Sequence, residues 1–193
     1  FDSIDHTILK QMLENRFKDK ELLTVFSKII NSYQTNPDKG VPIGNLTSQY
    51  FANHYLGAAD HFIKEKLQAT AYARYMDDMV IWSNKKEELL KIGMKFQVFI
   101  ENELSLQLKP FCLNRTEKGL PFLGYILYTD RINLNNNSRK RFKSKLVKYT
   151  QKLNNAEWSQ REYQSHVLPL FAYAKHADTH KLRTKYIEMM NTG

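Results

Sequence analysis

Two adjacent carboxylates, Asp77 and Asp78, stand in the middle of the apolar stretch ARYMDDMVIW, residues 73–82. Like charges side by side repel each other, and partial burial raises the free-energy cost. A divalent cation removes that repulsion, and Mg²⁺ takes one or two carboxylates together with phosphate oxygens of a substrate. The alternative is an ordinary turn that contains Asp. The apolar flanks favour a metal site.

Composition and charge narrow the function classes. The chain has 193 residues, 42% of them hydrophobic, and a formal net charge of +9. A disordered chain is excluded by this composition, and no apolar run is long enough to span a bilayer. The single cysteine, Cys112, cannot form an internal disulfide, which suits a reducing cytoplasm. The positive charge favours an anionic partner, above all nucleic acid, although a merely basic globular protein would also carry it.

Hydrophobic periodicity predicts an α+β portion up to about residue 134, followed by a helical bundle. A hairpin is predicted over residues 70–82 with the acids at its centre, and Asp5 or Thr7 is a candidate cap for the first helix. Cys112 is predicted to be a small core residue within a strand. The helices are predicted over residues 5–16, 20–33, 46–67, 85–102, 138–153, 159–175 and 179–190, and the further strands over residues 104–113 and 121–128.

Three motifs follow one another along the chain: GVPIGNLTSQYFANHYL at residues 40–56, YMDD at 75–78 and LPFLGY at 120–125. In this order and spacing they resemble those of the reverse transcriptases. FDSIDH, at residues 1–6, is similar to the end of the first palm motif of that family. The resemblance implies a polymerase palm, incomplete at its N-terminus, over residues 1–134, with an antiparallel sheet and packed helices. An α-helical thumb over residues 135–193 would follow, with the fingers absent.

The implied activity is RNA-directed DNA synthesis from an RNA template, a DNA primer and dNTPs. Asp77 and Asp78 would be catalytic ligands of Mg²⁺, with Mn²⁺ as an alternative, in a scheme with two metals about 4 Å apart. That scheme needs a third Asp, expected five positions before Phe1. The chain alone is therefore expected to have little or no polymerase activity. A non-catalytic nucleic-acid-binding protein with a polymerase-like fold is the competing class.

The resemblance also implies roles for substrate-contacting residues. Phe1 would block a ribose 2′-hydroxyl, Gly44 would let the backbone approach the nucleotide, and Gln49 would contact the template. The structural alternatives are a helix start at Gly44, a solvated Gln49 and plain core packing in the strands. The nucleotide-binding set is Phe1, Ile43, Gly44 and Gln49. The primer- and template-binding set is Tyr75, Met76, Phe122, Leu123, Gly124, Tyr125, Arg139, Arg141 and Lys145.

The loop sequence PIGNLTSQ points to a subfamily. Retroviral enzymes carry Gln-Gly where this chain has Ile43-Gly44, and Ser-Pro where it has Ser48-Gln49. The variant resembles reverse transcriptases of diversity-generating retroelements, which copy with frequent errors at adenines and which imply a small basic accessory protein. Isoleucine removes a hydrogen-bond donor near the nucleotide, which could loosen discrimination; alternatively Ile43 only packs the loop. Group II intron, retron and abortive-infection enzymes remain alternatives.

The sequence leaves the roles of two charged residues, Lys109 and Arg74, undecided. Relatives place a lysine pair, one of which can protonate pyrophosphate, where this chain has Phe111 and Cys112. Lys109 is the nearby candidate for the general acid, although strand alternation could place it on the other face. Arg74, before the acids, would pair with an acid or with a phosphate.

Overall fold

A computed structural model describes residues 1–191, and within these residues the chain folds into two compact units that divide between residues 111 and 112. The described part combines seven α-helices with two small antiparallel sheets, so the predicted α+β class is confirmed. The predicted thumb extends to residue 193, and its last two residues lie outside the described range. The assignment of a palm–thumb boundary to residue 134 stays a prediction.

The first unit begins with two helices whose starts are set by aspartates. Helix α1 spans His6–Arg16 and helix α2 spans Lys20–Asn31. The Asp5 carboxylate accepts hydrogen bonds from the backbone N–H groups of Thr7 and Ile8, at 3.0 and 3.1 Å. Asp19 caps α2 in the same way. Each cap satisfies N–H groups that have no partner inside the helix, and this explains why both helices begin near the predicted residues.

A long helix and a hairpin complete the first unit. Helix α3 spans Leu46–His61 and continues into a π-helical turn, Phe62–Lys66, where a single helix had been predicted. Strands β1, Ala71–Tyr75, and β2, Asp78–Trp82, form the predicted hairpin. Helix α4 follows over Lys86–Leu104.

Helix α3 supplies much of the core of this unit. Its residues Phe51, Tyr55 and Ala59 are fully buried, and one face of the β1–β2 hairpin packs against the same core. The hydroxyl group of Tyr55 donates a 2.6 Å hydrogen bond to the carbonyl oxygen of Leu104, at the end of α4. This bond satisfies a helix-terminal carbonyl that would otherwise be buried without a donor. The β1–β2 hairpin therefore packs against the same core as the buried face of α3.

The second unit is a three-stranded meander followed by three helices. Strands β3, Leu120–Phe122, β4, Tyr125–Leu127, and β5, Ile132–Leu134, pair in sequence order. Helices α5, Asn136–Asn154, α6, Gln160–Lys175, and α7, His180–Asn191, follow. The predicted apolar stripe of α5 is confirmed, because Phe142 and Leu146 are buried and Tyr149 and Leu153 pack beside them.

The strand predicted over residues 104–113 is wrong. Helix α4 continues to Leu104 and ends where Ser105 adopts a left-handed conformation, with φ of 48°. Residues 105–115 have no regular structure, so the alternation argument for Lys109 does not apply. Cys112 is exposed and not a core residue, because no sheet forms here to bury it. Phe111 instead covers Gly93 of α4, where an added Cβ would lie 2.9 Å from its ring.

Candidate active site

The two acids stand at the tip of the β1–β2 hairpin. Tyr75 pairs with Asp78, so Met76 and Asp77 form a two-residue turn, with Met76 at a φ of 55°. Both carboxylates are exposed. Water therefore screens their repulsion, and a metal ion is not needed to explain why they tolerate each other. The carboxylate oxygens are instead free to meet a ligand that arrives from solvent.

The hairpin has one packed and one open face. Residues directly opposite each other on antiparallel strands point to the same side, so each cross-strand pair belongs to one face. The packed face carries Tyr72, Met79 and Ile81, which contact the core. The open face carries the pairs Ala71–Trp82, Ala73–Val80 and Tyr75–Asp78. Two of the three β1 residues on this face are alanines, and the exposed ring of Tyr75 stands directly across from Asp78.

Arg74, on the packed side, ties the turn to α3. Its Nε and Nη2 atoms donate to the two carboxylate oxygens of Asp60, at 2.7 and 2.6 Å. Its Nη1 atom donates to the carbonyl oxygen of Met76 at 2.9 Å and to Asn53 Oδ1 at 3.1 Å. Tyr72 donates its hydroxyl to Asp60 Oδ1 at 2.7 Å. We call Arg74, Asp60, Tyr72 and Asn53 the Arg74 network.

Hydrogen bonds within the Arg74 network outweigh the effect of burial on its ion pair. Burial opposes ionisation of Asp60, but hydrogen bonds from Arg74 and Tyr72 outweigh it and hold the Asp60 pKa below its usual value. The hydrogen bond from Asp60 raises the pKa of Arg74. Burial, and then the bond to the Asp60 carboxylate, raises the pKa of the Tyr72 hydroxyl. Arg74 was expected to pair with an acid or with a phosphate, and the structure shows that it pairs with an acid, Asp60. Sequence reasoning did not find Asp60 or Asn53.

Phe1 lies against the loop that precedes α3. The backbone N–H of Val41 donates to the carbonyl oxygen of Phe1 at 3.3 Å. The backbone N–H of Gly40 donates to the carbonyl oxygen of Ile4 at 2.8 Å. The buried His6 ring contacts the Gly40 carbonyl through Nε2 at 2.6 Å. Backbone and side-chain bonds thus join the segment FDSIDH, residues 1–6, to the start of the motif at residues 40–56. The structure brings Phe1 and this loop together as one surface.

The loop presents its predicted contact residues to solvent. Ile43 is 67% exposed and Phe1 is 43% exposed, so Ile43 does not simply pack the loop. Gly44 has a φ of +96° and open space where a Cβ would stand, so its backbone conformation favours glycine and a ligand can approach closely. Gln49 is exposed on the first turns of α3.

In the second unit a hairpin of β3 and β4 stands where a single strand was predicted over residues 121–128. Leu123 and Gly124 form its turn, both at positive φ. The Tyr173 hydroxyl group of α6 contacts the carbonyl oxygen of Leu123 at 3.1 Å and Ser138 Oγ at 3.2 Å. The Tyr125 hydroxyl donates in turn to the Tyr173 carbonyl at 2.9 Å. The turn is therefore held by two helices of its own unit.

The cations of α5 face solvent. Arg139, Arg141 and Lys145 are exposed, and none of them forms an ion pair with another residue of the described part of the chain. Their neighbours on the helix include three further lysines, so the outer surface of α5 is strongly positive. Lys109 is also exposed, in the irregular segment after α4.

The donor chemistry of the hairpin fits a hard divalent cation in part. Asp77 and Asp78 offer the carboxylate oxygens that Mg²⁺ prefers, and both are accessible. Among residues 1–191 there is no group of three or more His, Cys, Asp or Glu side chains that could hold a metal ion. The two acids thus supply part of a coordination sphere, which a further carboxylate or substrate phosphates would have to complete. None of the described helices is long and apolar enough to cross a membrane.

Comparison with known proteins identifies the family. The family model described as reverse transcriptase (RNA-dependent DNA polymerase) matches residues 1–127, which is well over half of the chain. The chain belongs to the reverse transcriptase family. The match covers Phe1, the loop before α3, the β1–β2 hairpin and the turn at Gly124. No curated protein matches the chain.

Proposed function

We propose that this chain carries the catalytic acids of an RNA-directed DNA polymerase that copies an RNA template into cDNA by two-metal nucleotidyl transfer. The observation that carries the proposal is the placement of Asp77 and Asp78 at the tip of the β1–β2 hairpin, within the region matched by the family. The acids are accessible to solvent. A primer terminus and a nucleotide need that kind of access.

The acids would hold Mg²⁺, or Mn²⁺ in its place, together with a third Asp that we expect upstream of Phe1. When bound, the ions would stabilise charge on the attacking and leaving oxygens of the phosphoryl group. Lys109 is the candidate general acid for the leaving pyrophosphate; its exposure leaves its ammonium group free to reach a ligand. Because the third Asp would lie outside residues 1–193, this segment alone should extend a primer weakly or not at all.

The surfaces around the acids would bind the substrates. Phe1 and Ile43 would contact the nucleotide sugar and base, with Gly44 beside them and Gln49 toward the template. Tyr75 and Met76 would lie under the primer terminus, since Tyr75 is opposite Asp78 on the open face. In the second unit, the turn formed by residues 122–125 would hold the primer strand.

The first test compares Asp77→Asn with Glu87→Gln in the intact polymerase. Glu87 is an exposed acid on α4 and serves as the matched control. We expect Mg²⁺-dependent primer extension to fall at least about 1000-fold in the Asp77 variant, because one metal ligand is lost, and to stay within two-fold in the control. Direct measurement of Mn²⁺ binding should show the same contrast. Full activity of Asp77→Asn would contradict the proposal and favour the non-catalytic nucleic-acid-binding class.

The cations of α5 would contact phosphates of the RNA–DNA duplex. The test is a triple variant in which Arg139, Arg141 and Lys145 become Gln. We expect weaker duplex binding and a salt slope reduced by about two to three, because each phosphate contact releases roughly one counterion. The control triple changes three exposed lysines of the first unit to Gln: Lys18, Lys20 and Lys64. An unchanged slope in the α5 triple would contradict this role.

Within the family, we favour the diversity-generating type, with a small basic accessory protein as partner. The exposure of Ile43 supports this assignment, because an isoleucine that does not pack the loop is available to the nucleotide. We expect Ile43→Gln to lower misincorporation opposite adenine in a fidelity assay without altering stability. Val98→Gln, a change at an exposed apolar residue of α4, is the control. An unchanged error rate would favour the group II intron, retron or abortive-infection alternatives.

A further inference from the structure

The peptide bond between Met76 and Asp77 is held from one side by Arg74. The Nη1 atom donates to the Met76 carbonyl oxygen at 2.9 Å. Because a peptide unit is planar, holding this oxygen also orients the N–H and the Cα of Asp77. Little backbone freedom is then left between the guanidinium group and the position of the first acid.

This support matters because the turn contains an unfavourable conformation. Met76 has a φ of 55°, a region that side chains other than those of Gly, Asn and Asp seldom adopt. Such a conformation persists only when surrounding contacts determine it. The bond to the Met76 carbonyl is a contact of that kind, and without it the peptide can rotate toward a more favourable geometry.

Arg74 is itself fixed by α3. Both carboxylate oxygens of Asp60 accept from it, Asn53 Oδ1 accepts from Nη1, and the side chain of Arg74 is only 13% exposed. Two parallel hydrogen bonds between a guanidinium group and a carboxylate set the plane and the distance of the pair. The Tyr72 hydroxyl occupies a further site on the same carboxylate. Helix α3, one face of which is buried in the core, is thereby linked to the hairpin tip.

We propose that Arg74, oriented by Asp60, is a positioning residue that holds the Met76–Asp77 peptide so that the carboxylates of Asp77 and Asp78 stand in the geometry needed for metal-assisted nucleotidyl transfer. The inference rests on the proposed function. Arg74 touches neither substrate nor metal in this role and acts through the backbone of the turn. Misplacement of a reacting group by about 1 Å can cost about 100-fold in rate, so a loosened turn should affect turnover more than binding.

The test uses the intact polymerase with three changes in the network: Arg74→Gln, Arg74→Lys and Asp60→Asn. Lysine keeps the charge but lacks the planar fork, so it cannot hold Asp60 and the Met76 carbonyl together. Tyr55→Phe is the matched control, because it removes another hydrogen bond made by α3, the bond to Leu104 in the core. Steady-state kinetics with a primer–template and amide hydrogen exchange over residues 75–79 are measured for every variant.

We expect kcat to fall about 10- to 100-fold in Arg74→Gln and Asp60→Asn, with KM for the primer–template within about two-fold. Arg74→Lys should fall between these variants and the wild type. Exchange over residues 75–79, where the Tyr75–Asp78 pair closes the turn, should accelerate in the network variants and stay unchanged in Tyr55→Phe. These changes together support a positioning role.

Two results would overturn it: a kcat for Arg74→Gln within two-fold of wild type, or an equal loss of kcat in Tyr55→Phe. Asp77→Asn, assayed in parallel, separates this inference from the proposed function. If Asp77→Asn is inactive while Arg74→Gln is fully active, only the positioning role fails. If Asp77→Asn remains active, the proposed function fails, and the positioning role fails with it.

Discussion

Replacing Gly124 by alanine tests whether the turn between β3 and β4 is held by the hydroxyl group of Tyr173. Gly124 has a φ of +86°, and a Cβ built there would lie 2.1 Å from Tyr173 Oη and 2.7 Å from Ser138 Oγ. A carbon atom cannot stand that close to an oxygen. The Tyr173 hydroxyl group must therefore leave, and its hydrogen bonds to Leu123 and Ser138 are lost with it.

The expected cost follows from these terms. A side chain in the left-handed region costs about 1–2 kcal/mol. Each of the two hydrogen bonds made by the hydroxyl group contributes about 1 kcal/mol. Gly124→Ala should therefore lower the free energy of unfolding of the second unit by about 3–4 kcal/mol. Tyr173→Phe alone should cost about 1–2 kcal/mol, because it removes the same two bonds without backbone strain.

The double variant, Gly124→Ala with Tyr173→Phe, gives the most specific test. Once the hydroxyl is absent, the nearest remaining Tyr173 atom, Cζ, lies 3.5 Å from the new Cβ, which is an ordinary contact. Ser138 Oγ, at 2.7 Å, must still rotate away, and its contact with the Tyr173 hydroxyl is already lost in this background. Gly124→Ala should then cost about 1–2 kcal/mol less in the Tyr173→Phe background than in the wild type. Chemical denaturation followed by the fluorescence of Trp158, in a Trp82→Phe background, reports on the second unit. Equal costs in the two backgrounds would refute the reasoning.

Three further predictions concern single side chains. The Asp60 pKa lies below its unfolded value of about 3.9, so its ionised form stabilises the first unit above that pH. This stability should be lost as the pH falls through the folded pKa, and urea midpoints measured from pH 7 to 3 should decline less steeply in Asp60→Asn. Cys112 should react with a thiol reagent in the native protein nearly as fast as in urea, because it is exposed; strong protection would contradict this. Ser159→Ala removes the N-cap of α6 and should cost about 1 kcal/mol, whereas Ser165→Ala on the same helix should cost much less in the same unfolding assay.

Local signals explain why most helices could be predicted from the sequence. The start of α1 depends on Asp5 and on the residues directly after it, and the stripe of α5 repeats every three or four residues. The β1–β2 hairpin was also predictable, since two β-prone runs flank a short polar centre. In these elements the information lies within a few neighbouring residues.

The strand predicted over residues 104–113 failed because a strand needs a partner that alternation alone does not reveal. Leu106 reaches the core, but Leu108 and Phe111 remain exposed, and no other segment pairs with this one in the structure of residues 1–191. The π-helical turn after α3 has no clear sequence signal either.

Parts of the candidate site depend on packing and could not be predicted. Which carboxylate meets Arg74 is decided by how the β1–β2 hairpin lies on α3, and Asp60 is 14 residues away in the chain. The exposure of Ile43 likewise depends on the course of its loop. The types and order of the motif residues indicate the chemistry. The contacts that support these residues can be found only from the three-dimensional structure.

The bonds between Phe1 and the loop before α3 have an evolutionary consequence. Phe1 is the proposed gate against ribose and Ile43 the proposed contact with the incoming base. The hydrogen bonds from Val41 and Gly40 and the contact of His6 join the segment that begins with Phe1 to the loop that carries Ile43. If these roles hold, a mutation that displaces Phe1 should also disturb the loop that carries Ile43. Tolerance for ribonucleotides and tolerance for mispairs would therefore drift together, and a lineage could not tune its error rate without also changing how it excludes the wrong sugar.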